Sequence, residues 1–249
     1  MVRPLVLLSN DDGHFSVGIR AMRTALLDFA EVILVAPETE QSAASHALSL
    51  HRPLRAHRHE EGIFGIDGTP ADCVYVALHS GTRFLPRKPD LVVSGINRGL
   101  NLGQDAFYSG TVAAAREGAL RGIHAVAVSA DTKADLGRVA DLAVRLSKGL
   151  LQSNRARAAL LNLNVPAAWT GEVRATKLGA RIYDELVDFR IDPRGREYFW
   201  VGGPGVSHDQ HPGADTEAYD HGSASVTSLA LDLTAIGEQP EVATLLSTI

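Results

Sequence analysis

The sequence predicts an α/β fold, a doubly wound and mainly parallel Rossmann-like sheet followed by a β-rich extension. Three observations carry this. Five short apolar runs of strand length recur between Leu5 and Leu163. Stretches of helical periodicity separate most of them, and no internal repeat is present. Strands that alternate with helices in this way form a parallel sheet covered on both faces.

Pro4-Leu5-Val6-Leu7-Leu8-Ser9 is almost wholly apolar and stops at Asn10 to Gly13, the pattern of a strand buried on both faces. From Ser16 to Ala30 the positions Val17, Ile19, Met22, Leu26 and Leu27 recur at helical spacing. Val32-Ile33-Leu34-Val35-Ala36, closed by Pro37, then completes a βαβ unit with a right-handed crossover. Thr69-Pro70-Ala71-Asp72 supplies a cap, a first-turn proline and a first-turn acid to a helix continued by Val74, Val76, Ala77 and Leu78. Leu91-Val92-Val93-Ser94 is the third strand, Thr111 to Leu120 an Ala-rich helix, and Ala125-Val126-Ala127-Val128 the fourth strand. Leu136 to Leu150 is an amphipathic helix, and Ala159-Leu160-Leu161-Asn162-Leu163 the fifth strand.

After Pro166 the alternation stops. Residues 1–166 are expected to form the catalytic core and residues 167–249 an extension used for oligomerisation. Glu172 to Leu178 and Glu197 to Val201 are β-like pieces around the turn Asp192-Pro193-Arg194-Gly195. Gly202-Gly203-Pro204-Gly205 is loop, Val226 to Leu233 one more strand, and Glu241 to Leu246 a short closing helix. The extension has little apolar mass of its own, so a hairpin exchanged between subunits of a homo-oligomer is expected.

Composition narrows the function classes. The chain has 249 residues, 45% hydrophobic and 21% charged, enough to bury a core without staples. Its single cysteine, Cys73, excludes a disulfide framework and a Cys-based metal centre and fits a cytoplasmic location. No apolar run approaches a membrane span, and the acidic pair Asp11-Asp12 follows the N-terminus too soon for a signal peptide. A net charge of −5 argues against a nucleic-acid scaffold. The charge is uneven: residues 1–166 carry 18 Lys and Arg against 16 Asp and Glu, and residues 167–249 carry 6 against 13.

Ligands in open α/β sheets bind at the carboxyl ends of the strands, where strand order reverses. That edge collects Ser9-Asn10-Asp11-Asp12-Gly13, the loop Pro37 to Ser45, Ser94-Gly95-Ile96-Asn97 running to Asn101-Leu102-Gly103, and Tyr108-Ser109-Gly110-Thr111. Adjacent carboxylates after a buried strand repel each other and lose hydration, and a hard divalent cation relieves both costs. With Ser42 and Asn97 nearby the donors are all oxygen, which selects Mg²⁺, Mn²⁺ or Ca²⁺. In isolation, Asp-Asp-Gly also reads as a turn or a helix cap; its place at a strand's carboxyl end favours the metal. Ser109-Gly110-Thr111 opens a helix, where free N–H groups favour phosphate, although the same tripeptide serves as an ordinary N-cap. The histidines read mainly as surface: His14 as an exposed loop residue, His57 and His59 in a solvated run, and His208, His211 and His221 as an irregular group. Cys73 reads as core.

These blocks resemble the SurE family, the survival-protein-E nucleotidases. Leu7-Leu8-Ser9-Asn10-Asp11-Asp12-Gly13, Val35-Ala36-Pro37 leading to Ser42 and Ser45, and Gly68-Thr69-Pro70-Ala71-Asp72-Cys73-Val74 carry the likeness. So do Pro89 to Asn97, Asn101-Leu102-Gly103, Tyr108 to Ala115 and Asn162-Leu163-Asn164-Val165-Pro166. The resemblance implies hydrolysis of nucleoside 5′-monophosphates, and of 3′-monophosphates, to nucleoside and phosphate. It implies one divalent cation per subunit, held by Asp11, Asp12, Ser42 and Asn97, with catalysis by Asp11, Asp12, Asn97 and Asn101. Asn10, Gly13, Asn101, Ser109, Gly110 and Thr111 then bind substrate phosphate, in a homodimer or homotetramer. Two places depart from the family pattern. Phe15-Ser16-Val17 stand where a small residue and proline are usual, and Gln41 and Ala43 flank Ser42 where a basic residue and glycine are usual.

Two rivals remain at this level. A haloacid-dehalogenase-type covalent phosphatase needs Asp-x-Asp, and the position after Asp12 is Gly13. A phosphoacceptor receiver module, a signalling switch, needs an Asp after its third strand, where this chain has Ser94 to Asn97.

Overall fold

The computed structural model describes residues 3–183, 187–202, 205–209 and 211–247. The first strand, β1 (Leu5–Ser9), is buried along its whole length, followed by α1 (Val17–Leu26) and β2 (Glu31–Pro37). Ser16 caps α1 by accepting the Ile19 N–H on its side chain. Next come the edge strands β3 (Ala56–Glu60) and β4 (Ile63–Ile66) and helix α2 (Pro70–His79). Thr69 and Asp72 form a reciprocal capping box at the start of α2. Strand β5 (Leu91–Arg98), the short helix α3 (Asp105–Tyr108), α4 (Gly110–Leu120), β6 (His124–Ala130), α5 (Leu136–Leu151) and β7 (Leu160–Val165) complete the alternation.

The sheet order β4-β2-β1-β5-β6-β7 is parallel throughout. Side chains on a strand alternate between faces, and the core divides accordingly. Val6 and Leu8 pack with Ile19, Met22, Ala140 and Ala143 from α1 and α5. Leu5 and Leu7 pack on the other face with Cys73, Val74, Ala77, Val112 and Ala115 from α2 and α4. Because both faces are covered, the central strands are apolar at successive positions. Cys73 is core, as expected.

The β3–β4 pair departs from the sequence reading. Ala56-His57-Arg58-His59-Glu60 is exposed and mostly polar yet pairs antiparallel with β4 at the sheet's edge. An edge strand needs no buried face and shows little apolar alternation.

The segment after Pro166 enters the same sheet: β13 (Ala224–Leu229) runs antiparallel to β7, and β8 (Val173–Thr176) lies parallel beyond it. Between them in sequence lie β9 (Ala180–Tyr183), β10 (Val187–Ile191), β11 (Glu197–Val201) and β12 (Val206–Asp209), with α6 (Asp215–Asp220) after them. Strand β9 pairs with β12 and β10 with β11, both antiparallel. In the β10–β11 hairpin, Asp192 Oδ1 accepts the N–H groups of Arg194 and Arg196, the local wiring of the predicted turn. Of the loop expected at residues 202–205, Gly203 and Pro204 lie outside the described residues. Helix α7 (Gln239–Leu246) closes the chain.

Candidate active site

Strand order reverses at β1, which has β2 on one side and β5 on the other. The loops leaving these strands part there, and a cavity of about 850 Å³ opens at their carboxyl ends. Asp11, Asp12, Ser42, Asn97, Asn101 and Ser109 all line it. Asn10, Gly13, Gly110 and Thr111 stand behind this wall rather than on it. Asn10 Nδ2 donates to Gly13 O and Ser16 Oγ, both at 2.9 Å, and so clamps the β1–α1 loop. Gly13 has φ +92 and makes the turn toward α1.

Asp11 is nearly buried and faces the start of α4. The Thr111 N–H donates to Asp11 Oδ2 at 3.0 Å and the Thr111 hydroxyl donates to Oδ1. Gly110 makes this approach possible, since a Cβ there would lie 2.8 Å from Asp11 Cβ. Burial pushes the Asp11 carboxyl above its ordinary value, against the two Thr111 hydrogen bonds. Burial and the Asp11 charge push Asp12 up to about 6. Asp12 Oδ2 is buried without a hydrogen-bond partner. Glu40, which also lines the cavity, adds a third negative charge that raises both carboxyls. Sequence reasoning missed Glu40; its signal was only its place between Pro37 and Ser42.

Asn97 Nδ2 donates to Gly99 O at 2.8 Å, which orients the amide and leaves its oxygen for another partner. Asn101 is fixed from behind: its N–H donates to Asn164 Oδ1 at 2.7 Å and its Nδ2 to Ser129 Oγ at 2.7 Å, while its carbonyl accepts from Asn162 Nδ2 at 2.8 Å. The buried asparagines of β7 thus set the position of Asn101. Ser109 Oγ accepts the Val112 N–H at 3.1 Å as the cap of α4, leaving its own hydrogen free to donate into the cavity.

Ser42 Oγ donates to Glu40 Oε1 at 2.6 Å. Its loop is pinned where Gln41 N donates to Asp11 O and Ser45 N donates to Tyr108 O. The neighbouring Ala43 has φ 56, a left-handed conformation that favours glycine, at one of the two departures from the family pattern beside Ser42.

The cavity edge is built from the extension. Tyr183, Val187 and Val201 line it, and the Tyr183 hydroxyl donates to Asp105 beside Arg181, which sits 2.5 Å from the same carboxylate. The histidine expectations divide. His14 is 3% exposed, not a solvated loop residue, because its ring stacks on His59 and the Phe15 ring leans against both. His208, His211 and His221 each have a separate local partner, in Asp220, Asp209 and the Glu217 carbonyl.

A family model described as survival protein SurE matches residues 6–185. The chain belongs to the SurE family. It is 60% identical over 238 residues to "5′-nucleotidase SurE" of Sorangium cellulosum (strain So ce56), covering 94% of this chain and 92% of that relative. A protein of the same name from Methylococcus capsulatus is 46% identical over 234 residues, 92% of each chain. The crystal structure of SurE protein from Aquifex aeolicus superposes with a TM-score of 0.83 at 36% identity, covering 97% of this chain and 99% of that one. The α/β fold with its strand-rich C-terminal extension is thus shared along nearly the whole length. Among the described residues no helix is long and apolar enough to cross a membrane.

Proposed function

We propose that this chain is a divalent-metal-dependent 5′-nucleotidase that hydrolyses nucleoside 5′-monophosphates to nucleoside and phosphate, with 3′-monophosphates as a further substrate class. The observation that carries this reading is the buried, unpartnered Asp12 Oδ2 beside Asp11 on a cavity wall that also holds Ser42 and Asn97. A buried carboxylate oxygen without a partner is costly, and an all-oxygen donor set suits Mg²⁺ or Mn²⁺. Asp11, Asp12, Ser42 and Asn97 would hold one such cation per subunit. When bound, the cation neutralises phosphoryl oxygens and lowers the pKa of a water. Asp12, beside Asp11 on the cavity wall, is placed to take the proton of the attacking water. Asn101 and the Ser109 hydroxyl donate to phosphoryl oxygens as charge develops. Tyr108, largely exposed, and Tyr183 offer aromatic faces to a nucleobase at the cavity edge.

The test is phosphate release from a panel of nucleoside 5′- and 3′-monophosphates. Activity should vanish after chelation and return with Mn²⁺ or Mg²⁺; chelator-resistant turnover would remove the metal from the scheme. The pH dependence has a definite sign. Protons and a cation compete for the raised carboxyls of Asp11 and Asp12, so Mn²⁺ affinity should weaken as pH falls, with Asp12 adding about tenfold per unit below about pH 6. Calorimetric titrations at two pH values check this, and equal affinities at pH 5 and 7.5 would contradict it.

The same reading includes a homo-oligomer, a dimer or tetramer, in the cytoplasm. The β10–β11 hairpin leaves Phe189, Phe199, Trp200 and Val201 at least half exposed, an apolar surface that a second copy would cover. Light scattering should give at least a dimeric mass, and a clean monomer would exclude exchange of the hairpin.

A further inference from the structure

We propose that His14, Glu38 and His59 form a second cation site of zinc type, separate from the oxygen-lined cavity. The three side chains come from different elements: His14 from the β1–α1 loop, Glu38 from the residue after β2, and His59 from the edge strand β3. Their candidate donor atoms all lie within 4.8 Å of one another. His59 Nε2 is 3.1 Å from Glu38 Oε1, and His14 Nδ1 is 3.8 Å from Glu38 Oε2. None of the three lines the catalytic cavity.

Several features mark this cluster as built. The His14 side chain is 1% exposed, and its Nε2 is buried without a hydrogen-bond partner. Gly65 on β4 leaves the space that the cluster occupies, since a Cβ there would lie 2.3 Å from Glu38 Oε1 and 2.9 Å from His59 Nε2. His57, two residues from His59 on β3, places Nδ1 2.8 Å from Glu38 Oε1 and holds that carboxylate toward the cluster. Phe15 packs on the His14 ring at 3.9 Å and shields it.

The donor set chooses the ion. Two imidazoles with one carboxylate favour Zn²⁺ and its late first-row neighbours, whereas Asp11, Asp12, Ser42 and Asn97 favour Mg²⁺ or Mn²⁺. Donors of a tetrahedral zinc lie about 3.3 Å apart, so the ion would draw the present atoms inward by a little over an ångström and turn the His59 ring out of its stack on His14. Bound there, it ties the loop that follows Asp11-Asp12 to the β3–β4 edge.

Co²⁺ is the probe, titrated into the full chain under saturating Mg²⁺, which occupies the oxygen site. One equivalent should give the strong visible absorption of low-coordinate, histidine-bound cobalt. His59→Ala and Glu38→Gln, both at partly exposed positions, should each weaken this binding by at least about tenfold. Asp12→Asn should retain the band, and Zn²⁺ should raise the thermal midpoint of the parent chain but not of the His59 or Glu38 variants. No visible band, a band that survives both substitutions, or one lost with Asp12→Asn overturns the site. Phosphate release under Mg²⁺ is measured separately, so a failure here leaves the nucleotidase reading standing.

Discussion

An Asp11→Asn, Asp12→Asn double variant is expected to lose at least about 10³-fold in kcat/KM against nucleoside monophosphates while unfolding no more easily than the parent. The two halves of this expectation have one cause. Burial raises both carboxyls above their ordinary values, Asp12 to about 6, so the ionised pair destabilises the metal-free fold at neutral pH. An amide at position 11 keeps both contacts with Thr111: its oxygen accepts the N–H and its nitrogen donates to the hydroxyl. The packing survives, and the electrostatic penalty goes. The sign follows from a raised folded-state value, for which the stabilising contribution is present at low pH and lost as pH rises through about 6. The stability advantage of the amides in chelator should therefore grow as pH rises from the ordinary carboxylate value of 3.8 through about 6, where Asp12 ionises, and further as the more deeply buried Asp11 ionises. Activity and thermal midpoint, measured on the same preparations, decide the matter. Loss of both together would make the pair a structural element, and retained activity would remove it from catalysis.

The legible parts of this protein are those whose physics is local or periodic. Strands β1, β2, β5, β6 and β7 stand out because burial on both faces demands apolar residues at successive positions, and Ser16, Thr69 and Ser109 mark helix starts because orphan N–H groups need an acceptor. Asp11, Asp12 and Asn97 are legible because they lie at the carboxyl ends of β1, where strand order reverses, and of its neighbour β5. Strand β3 is hidden, since an alanine and four polar residues at an exposed edge carry no buried pattern. His14 was misread for a related reason: its burial comes from His59, a residue 45 positions away on that unrecognised strand. Glu40 joins the site through a loop whose path has no periodicity. The division of labour between Asp11 and Thr111 rests on a contact across 100 residues, which spacing cannot express.

Gly18→Ala is expected to cost at least about 3 kcal/mol of stability, at or beyond the upper end of ordinary overpacking, and to lower kcat in whatever fraction folds. Gly18 lies in the first turn of α1, pressed against the backbone of β5. A Cβ there would sit 1.9 Å from the Ile96 carbonyl oxygen and 2.9 Å from its carbon. No flexible side chain can swing away, because the obstacle is main chain. Either α1 lifts from the sheet, opening the packing of Ile19 and Met22, or the end of β5 shifts. The second response moves Asn97, the next residue, whose amide is oriented by its 2.8 Å hydrogen bond to Gly99 O. Helix propensity works the other way, since alanine is favoured over glycine in a helix by about 1 kcal/mol. Gly149→Ala, in α5 with nothing within 4 Å of the added Cβ, isolates that contribution and should be neutral or stabilising. Urea unfolding of both variants separates collision from propensity. If Gly18→Ala were as stable and as active as Gly149→Ala, the close contact between α1 and β5 would not exist in solution, and the positioning of Asn97 would need another origin.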